Sequence, residues 1–125
     1  MPAYNQDNIF HKIINGHIDC DKVYEDEHVI AFNDIQPAAP VHVLVLPKGE
    51  YCSLDDFAND APADVVAHFF KKVRDIANDL GLSEEGYRVI ANHGANASQT
   101  VHHFHMHILG GRLLGGLIAG DALNR

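Results

Sequence analysis

Hydrophobic and polar residues alternate along this chain with two periods, helical in some stretches and strand-like in others. In "QDNIFHKIINGHI", Ile9, Phe10, Ile13 and Ile14 fall at near-helical spacing and Gly16 is a natural stop, which predicts a short helix. "DKVYEDEHVIAFND" reads as a hairpin, with "KVYE" and "VIAFN" flanking the polar turn "EDEH". "QPAAP" breaks the chain, and "VHVLVLPK" predicts a strand of β-branched and apolar residues ending at Pro47. "LDDFAND" predicts a short helical turn.

From Pro62 to Leu80 the period is helical throughout. Val65, Phe69, Val73, Ile76 and Leu80 make one apolar stripe, with Val66, Phe70 and Ala77 beside it. Pro62 suits the first turn, Asp64 the positive end of the dipole, and Gly81 the position just past the end. Then follow a strand "YRVIAN", a loop "HGANASQT", a last strand "VHHFHMHIL" and a Gly-rich, partly apolar tail "GGRLLGGLIAGDALNR". Consecutive strands joined by short turns favour an antiparallel sheet with the helices on one side, an α+β domain.

Length and composition narrow the picture. A chain of 125 residues is most simply one domain, 1–125 with a tail from about 113, and buries about two-thirds of its unfolded surface. A net charge of −8 argues against a nucleic-acid-binding face, and no apolar run approaches the roughly 18–20 residues of a membrane span. Cys20 and Cys52 form neither a CxxC pair nor a disulfide framework, and the N-terminus lacks the charged-then-apolar pattern of a signal peptide; a cytoplasmic protein is expected. One outlier remains: ten histidines, half of them between residues 93 and 107.

Three of these stand in "VHHFHMHILGGR", each separated from the next by one apolar residue. On a strand, His103, His105, His107 and Leu109 would face one way, while His102, Phe104, Met106 and Ile108 face the other. Successive imidazoles would lie roughly 6.5–7 Å apart. Such a row suits zinc ligation, or nucleophilic catalysis with one imidazole attacking and a neighbour donating a proton, or simply the solvated face of an edge strand. The preceding loop bears on the choice. Asn92, Gly94, Ser98, Gln99 and Thr100 offer backbone and side-chain donors that can converge on an anion, whereas His93 is its sole further metal ligand. An anion cradle running into a row of imidazoles suggests phosphorus chemistry.

At "HFHMHIL" the chain resembles the histidine-triad (HIT) family, whose signature alternates three histidines with apolar residues. "IFHKIINGHI", "VYEDEHVIAFNDIQPAAPVHVLVLPK", "DLGLSEEGYRVIANHG" and "SQTVHHFHMHILGGR" also look like segments of its Hint-like branch, in order, over most of residues 8 to 112. The resemblance implies a five-stranded antiparallel sheet with one long and one short helix, joined into ten strands in a homodimer. It implies hydrolysis of the P–N bond in purine nucleoside 5′-phosphoramidates, adenosine preferred and aminoacyl-adenylates included, through a nucleotidyl-histidine intermediate and with no cofactor or metal. A dinucleoside polyphosphate hydrolase of the same family and a nucleotide-binding regulatory module stand as alternatives.

Carried over by position, His105 matches the nucleophile. His107 matches the residue that contacts phosphate and protonates the leaving amine, and His103 and His42 match the two that support and orient the nucleophile. Asp34 matches the carboxylate that accepts the ribose hydroxyls. Asn92, Ser98, Gln99 and Thr100 match phosphate-contacting positions, and Ile9, Phe10, Ile13, Ile18, Phe32, Asn33, Ile35 and Leu44 match the pocket around the base. Two departures stand out: Ser98 replaces the usual glycine, and Asn8-Ile9-Phe10-His11 stands where some relatives carry a zinc-binding CxxC.

Overall fold

The computed structural model describes residues 2–123; Met1 and the last two residues of the expected tail, 124 and 125, lie outside the described residues. Its strands are β1 (Lys22–Glu25), β2 (Val29–Asn33), β3 (Val41–Pro47), β4 (Tyr87–Ile90) and β5 (Met106–Gly110). They form one sheet in the order β1-β2-β3-β5-β4, with every neighbouring pair antiparallel. The helices are α1 (Ile9–Ile14), α2 (Leu54–Asp60) and α3 (Ala63–Asp79). The fold is therefore the expected α+β arrangement, with a second short helix where the sequence promised only a turn. That helix forms because the Asp56 carboxylate accepts the N–H groups of both Cys52 and Ser53, at 2.6 and 2.7 Å, and so satisfies the chain at its entry. The long helix ends as expected, at Gly81 with φ 78°.

The central strands β2 and β3 are buried on both faces, and their alternation divides the core in two. Val29, Ala31, Val43 and Val45 pack with Met106 and Ile108 against Phe57 of α2 and Phe69, Val73, Ile76 and Ala77 of α3. On the other face Ile30, Phe32, Leu44 and Leu46 pack against Phe10 and Ile13 of α1. The expectation that all helices share one side is thus corrected. A 3.6-residue period shows that α1 has an apolar stripe, but not which face of the sheet receives it.

The last strand is also shorter than expected. Its ladder begins at Met106, not Val101, and β4 stops at Ile90 rather than Asn92. Continued by two residues, the β3–β5 register would set Phe104 opposite Pro47, which has no N–H to give. Phe104 instead donates its own N–H to the carbonyl of Tyr51 at 2.7 Å. Side-chain alternation nevertheless persists, because Phe104 is driven into the helical face: it is 1% exposed, stacked on Phe57 at 4.7 Å between ring centroids and 5.4 Å from Phe69. Burial of this ring, rather than strand pairing, positions the histidines on either side of it. Phe104→Ala is expected to cost about 3–5 kcal/mol of stability, as core aromatic truncations do. Urea unfolding checks this; a loss below about 1 kcal/mol would show that the ring is not the anchor.

Candidate functional site

The imidazoles gather on the α1 face of the sheet. Across the β3–β5 pair, Leu44 lies opposite His107 and His42 opposite Leu109, so the two histidines are diagonal neighbours on one face. His105 follows on the same side, its ring 5.1 Å from that of His107 and 4.9 Å, edge on, from Phe10 of α1. His103 is fully buried. The structure therefore brings together all four histidines singled out in the sequence.

Their backbone partners determine where each ring carries its proton. The N–H of Ala38 can only donate, and it lies 3.0 Å from His42 Nδ1, so His42 carries its own hydrogen on Nε2. That Nε2–H donates to His107 Nδ1 at 2.8 Å, which leaves the hydrogen of His107 on Nε2. A second chain works the opposite way on His105. The carbonyl of His103 can only accept, and it lies 2.7 Å from His105 Nδ1, so the hydrogen of His105 is on Nδ1 and its Nε2 holds a free lone pair. Two adjacent rings are thus held in opposite tautomers, one offering a lone pair and the other an N–H. His103 is fixed in turn: its Nε2–H donates to the carbonyl of Pro47 at 2.7 Å, and its Nδ1 accepts from the Tyr4 hydroxyl at 2.6 Å.

Burial keeps these rings neutral. It pushes His103 and His107 down to about 4, His107 being lowered further by the charge that His105 or His42 would carry. His105 and His42 are also lowered by burial, with Asp34 pulling both the other way. An imidazole can attack only when unprotonated, so burial keeps these rings in the form a nucleophile would require.

Asp34 divides its carboxylate. One oxygen accepts the N–H of Gln36 at 2.8 Å and closes a turn, while the other lies 3.5 Å from His42 Nε2. Phe10, Ile13, Phe32 and Leu44 form one packed wall beside His105 and His107. Ile9, Ile18 and Ile35 stand outside that wall and are exposed, Ile35 at 92%. Ile13 and Ile18 share an open cleft of about 420 Å³ with Ile30 and Cys20. Asn33, at the end of β2, donates its side-chain amide to Asp21 at 2.9 Å.

The 92–100 loop differs from expectation in its donors. Gly94 turns the chain with φ 79°, a 3₁₀ turn covers Ala95–Ala97, and Ser98 follows at φ 61°, the left-handed conformation a glycine would adopt without strain. The N–H groups of Gly94, Ala97, Ser98 and Gln99 are bonded inside the loop, so they do not converge on an anion. Gln99 is the loop's organiser, not a free donor. It is buried, its Oε1 accepts from Gly94 N, and its Nε2 donates to the carbonyls of Cys52 and Val101. Asn92 is half-buried and Thr100 exposed, and neither side chain is hydrogen-bonded to another of the described residues.

Asp34, His42 and His107 also place one ligand atom each within 4.8 Å of the others, as a metal site would. The donor chemistry does not fit a cation. With Nδ1 accepting from Ala38, His42 presents a hydrogen rather than a lone pair at Nε2. Sequence reasoning missed Tyr4, Ala38 and the Pro47 carbonyl, two of which act through backbone atoms that every residue type possesses.

The HIT domain model matches residues 15–114. An uncharacterized HIT-like protein of Rickettsia prowazekii is 50% identical over 115 residues, 92% of this chain and 96% of the relative. Among solved structures, a histidine triad protein from Clostridium difficile superposes with a TM-score of 0.83 at 46% identity, covering 91% of this chain and 98% of that one. A HIT family hydrolase from Legionella pneumophila gives 0.82 at 38%, covering 86% and 96%.

The buried neutral histidines make stability depend on pH. An unfolded His103 titrates near 6.5 and the folded one near 4, so between those values the unfolded chain binds more protons and acid favours it. His103 alone should remove about 2 kcal/mol of stability between pH 7 and pH 5. Urea unfolding at the two pH values checks this, and equal stabilities would contradict a buried neutral His103.

Proposed function

The chain belongs to the HIT family, and on that premise we propose that it hydrolyses the P–N bond of purine nucleoside 5′-phosphoramidates as one HIT domain. The observation that carries the reading is the pair of opposite tautomers on His105 and His107. A lone pair and an N–H side by side, in rings 5.1 Å apart, suit attack on phosphorus with protonation of the departing nitrogen.

In this reading the Nε2 lone pair of His105 attacks the α-phosphorus, and the positive charge that develops is supported through Nδ1–H on the His103 carbonyl. The phosphate anion beside His107 favours a second proton on that ring, taken from solvent at Nδ1, and the Nε2–H of His42 then turns to the Asp34 oxygen 3.5 Å away. His107 gives its proton to the nitrogen as the P–N bond breaks. Water next attacks the nucleotidyl-His105, the P–Nε2 bond breaks, and the water's proton returns to His107. Asn92 and Thr100 would hold the phosphate oxygens, with Ser98 and Gln99 shaping the loop that presents them. Asp34 would accept the ribose hydroxyls, and the base would lie against Phe10, Phe32 and Leu44, bordered by Ile9, Ile18, Asn33 and Ile35. The edge strand β4, with Val89 exposed, and the exposed Leu113, Leu117 and Ile118 of the tail support pairing of two copies. No helix among the described residues is long and apolar enough to cross a membrane.

His105→Ala should abolish turnover of an adenosine phosphoramidate, a loss of at least about 10⁴-fold in kcat, with the melting transition retained. Turnover surviving in that variant would refute the nucleophile. Because burial lowers His105, the acid limb of kcat/KM should fall below the pH 6.5 of a free imidazole. A limb at or above that value would mean that His105 is not held neutral.

A further inference from the structure

The chain's first residues, 2–8, run across the segment 47–52 behind the histidines. The Cys52 thiol donates to the carbonyl of Pro2 at 3.3 Å, Gln6 donates to Glu50 at 3.0 Å, and Asn8 caps α1 by accepting the N–H of His11 at 2.9 Å. Tyr4 lies in the middle of this strap, half-buried, its ring edge on to His103 at 5.5 Å and to His11 at 5.7 Å. Its hydroxyl is 2.6 Å from His103 Nδ1 and 3.4 Å from His11 Nδ1. Tyr4 and the strap precede the stretch matched by the family model, which begins at residue 15.

The contact with His103 has a defined direction. Because the Pro47 carbonyl claims the Nε2–H of His103, its Nδ1 holds a lone pair, and the hydroxyl must be the donor. The bond therefore occupies the last open polar atom of a fully buried ring, and it does so 99 residues away along the chain. Without that hydroxyl, Pro47 would still hold the Nε2–H, but Nδ1 would be left buried without a donor, and the ring and its backbone would shift to relieve it. Any such movement reaches His105, whose Nδ1–H is held by the carbonyl of the same residue, His103.

We propose that Tyr4 is a positioning residue for the nucleophile: by holding the Nδ1 lone pair of His103, its hydroxyl fixes the carbonyl that orients His105 and bares its Nε2. The effect on rate rests on the reaction assigned above; the effect on the rings does not. Tyr4 touches no reacting atom. It acts from the far side of His103, so it should influence the chemical step more than the binding of substrate.

Tyr4→Phe keeps the ring and removes only the hydroxyl. Near neutral pH the wild-type protein should show, by nitrogen-15 NMR of its imidazoles, a hydrogen-bonded lone pair at His103 Nδ1 and a single Nδ1–H tautomer at His105. In the variant the His103 Nδ1 signal should become that of an unbonded nitrogen, and the Nδ1–H resonance of His105 should shift as its bond to the His103 carbonyl changes. With an adenosine phosphoramidate, kcat should fall about tenfold or more, as when outer partners of an oriented histidine are removed, with KM changed less than about twofold. An unchanged His105 Nδ1–H resonance in the variant, or a changed one with unaltered kcat in an active enzyme, overturns the inference. If the variant does not fold, an unbonded Nδ1 signal from His103 in the wild type overturns it equally. A wild type inactive on phosphoramidates would instead refute the reaction, and the nitrogen signals would still decide the role of Tyr4.

Discussion

An imidazole is useful in acid–base chemistry only if the position of its hydrogen is fixed, and here two backbone groups fix it. A peptide N–H from Ala38 starts one relay, through His42 to His107, and a peptide carbonyl of His103 ends another, from His105. Since neither group can change its role as donor or acceptor, the tautomers downstream are forced. The same side-chain type, repeated on one face, is thereby divided into a bare lone pair and an N–H without any difference in residue type between the two positions.

The rest of the fold maintains this division. β3 carries His42 beside His107, and its terminal Pro47 ends the ladder while lending its carbonyl to His103. The stack of Phe104 on Phe57 sets the depth of the histidines that the ladder does not reach. Helix α1 closes the other side with Phe10 against His105. Burial, which holds the rings neutral, exacts its cost in acid, where the folded state must forgo protons that the unfolded chain accepts.

Much of the fold could be read from the chain. The stripe from Val65 to Leu80 predicts α3 to within a residue or two, and the hairpin and β3 fall where β-branched runs and turn residues put them. Which face of the sheet takes α1 could not be read, because a periodic stripe carries no address. Nor could the short β5: alternation of side chains continues through His103 and His105 although pairing does not, and the reason, Pro47 opposite Phe104, is a matter of register. Within the candidate site, the ladder of His103, His105 and His107 was visible in the spacing, whereas His42 and Asp34 entered through the resemblance alone, and the structure places these residues together. Gln99 looked like a ligand contact because its amide has the right chemistry, but three loop and backbone groups already use it. Tyr4 left no signal, standing in a polar stretch without periodicity and far in sequence from the ring it holds.

The central claim is that neighbouring rings of His105 and His107 hold their hydrogens on opposite nitrogens. Nitrogen-15 NMR of the unliganded wild-type protein at about pH 7, where both are neutral, tests it most directly. The account predicts a protonated Nδ1 and bare Nε2 for His105, with a bare Nδ1 and protonated Nε2 for His107. The same tautomer in both rings, or a hydrogen on Nε2 of His105, would contradict it.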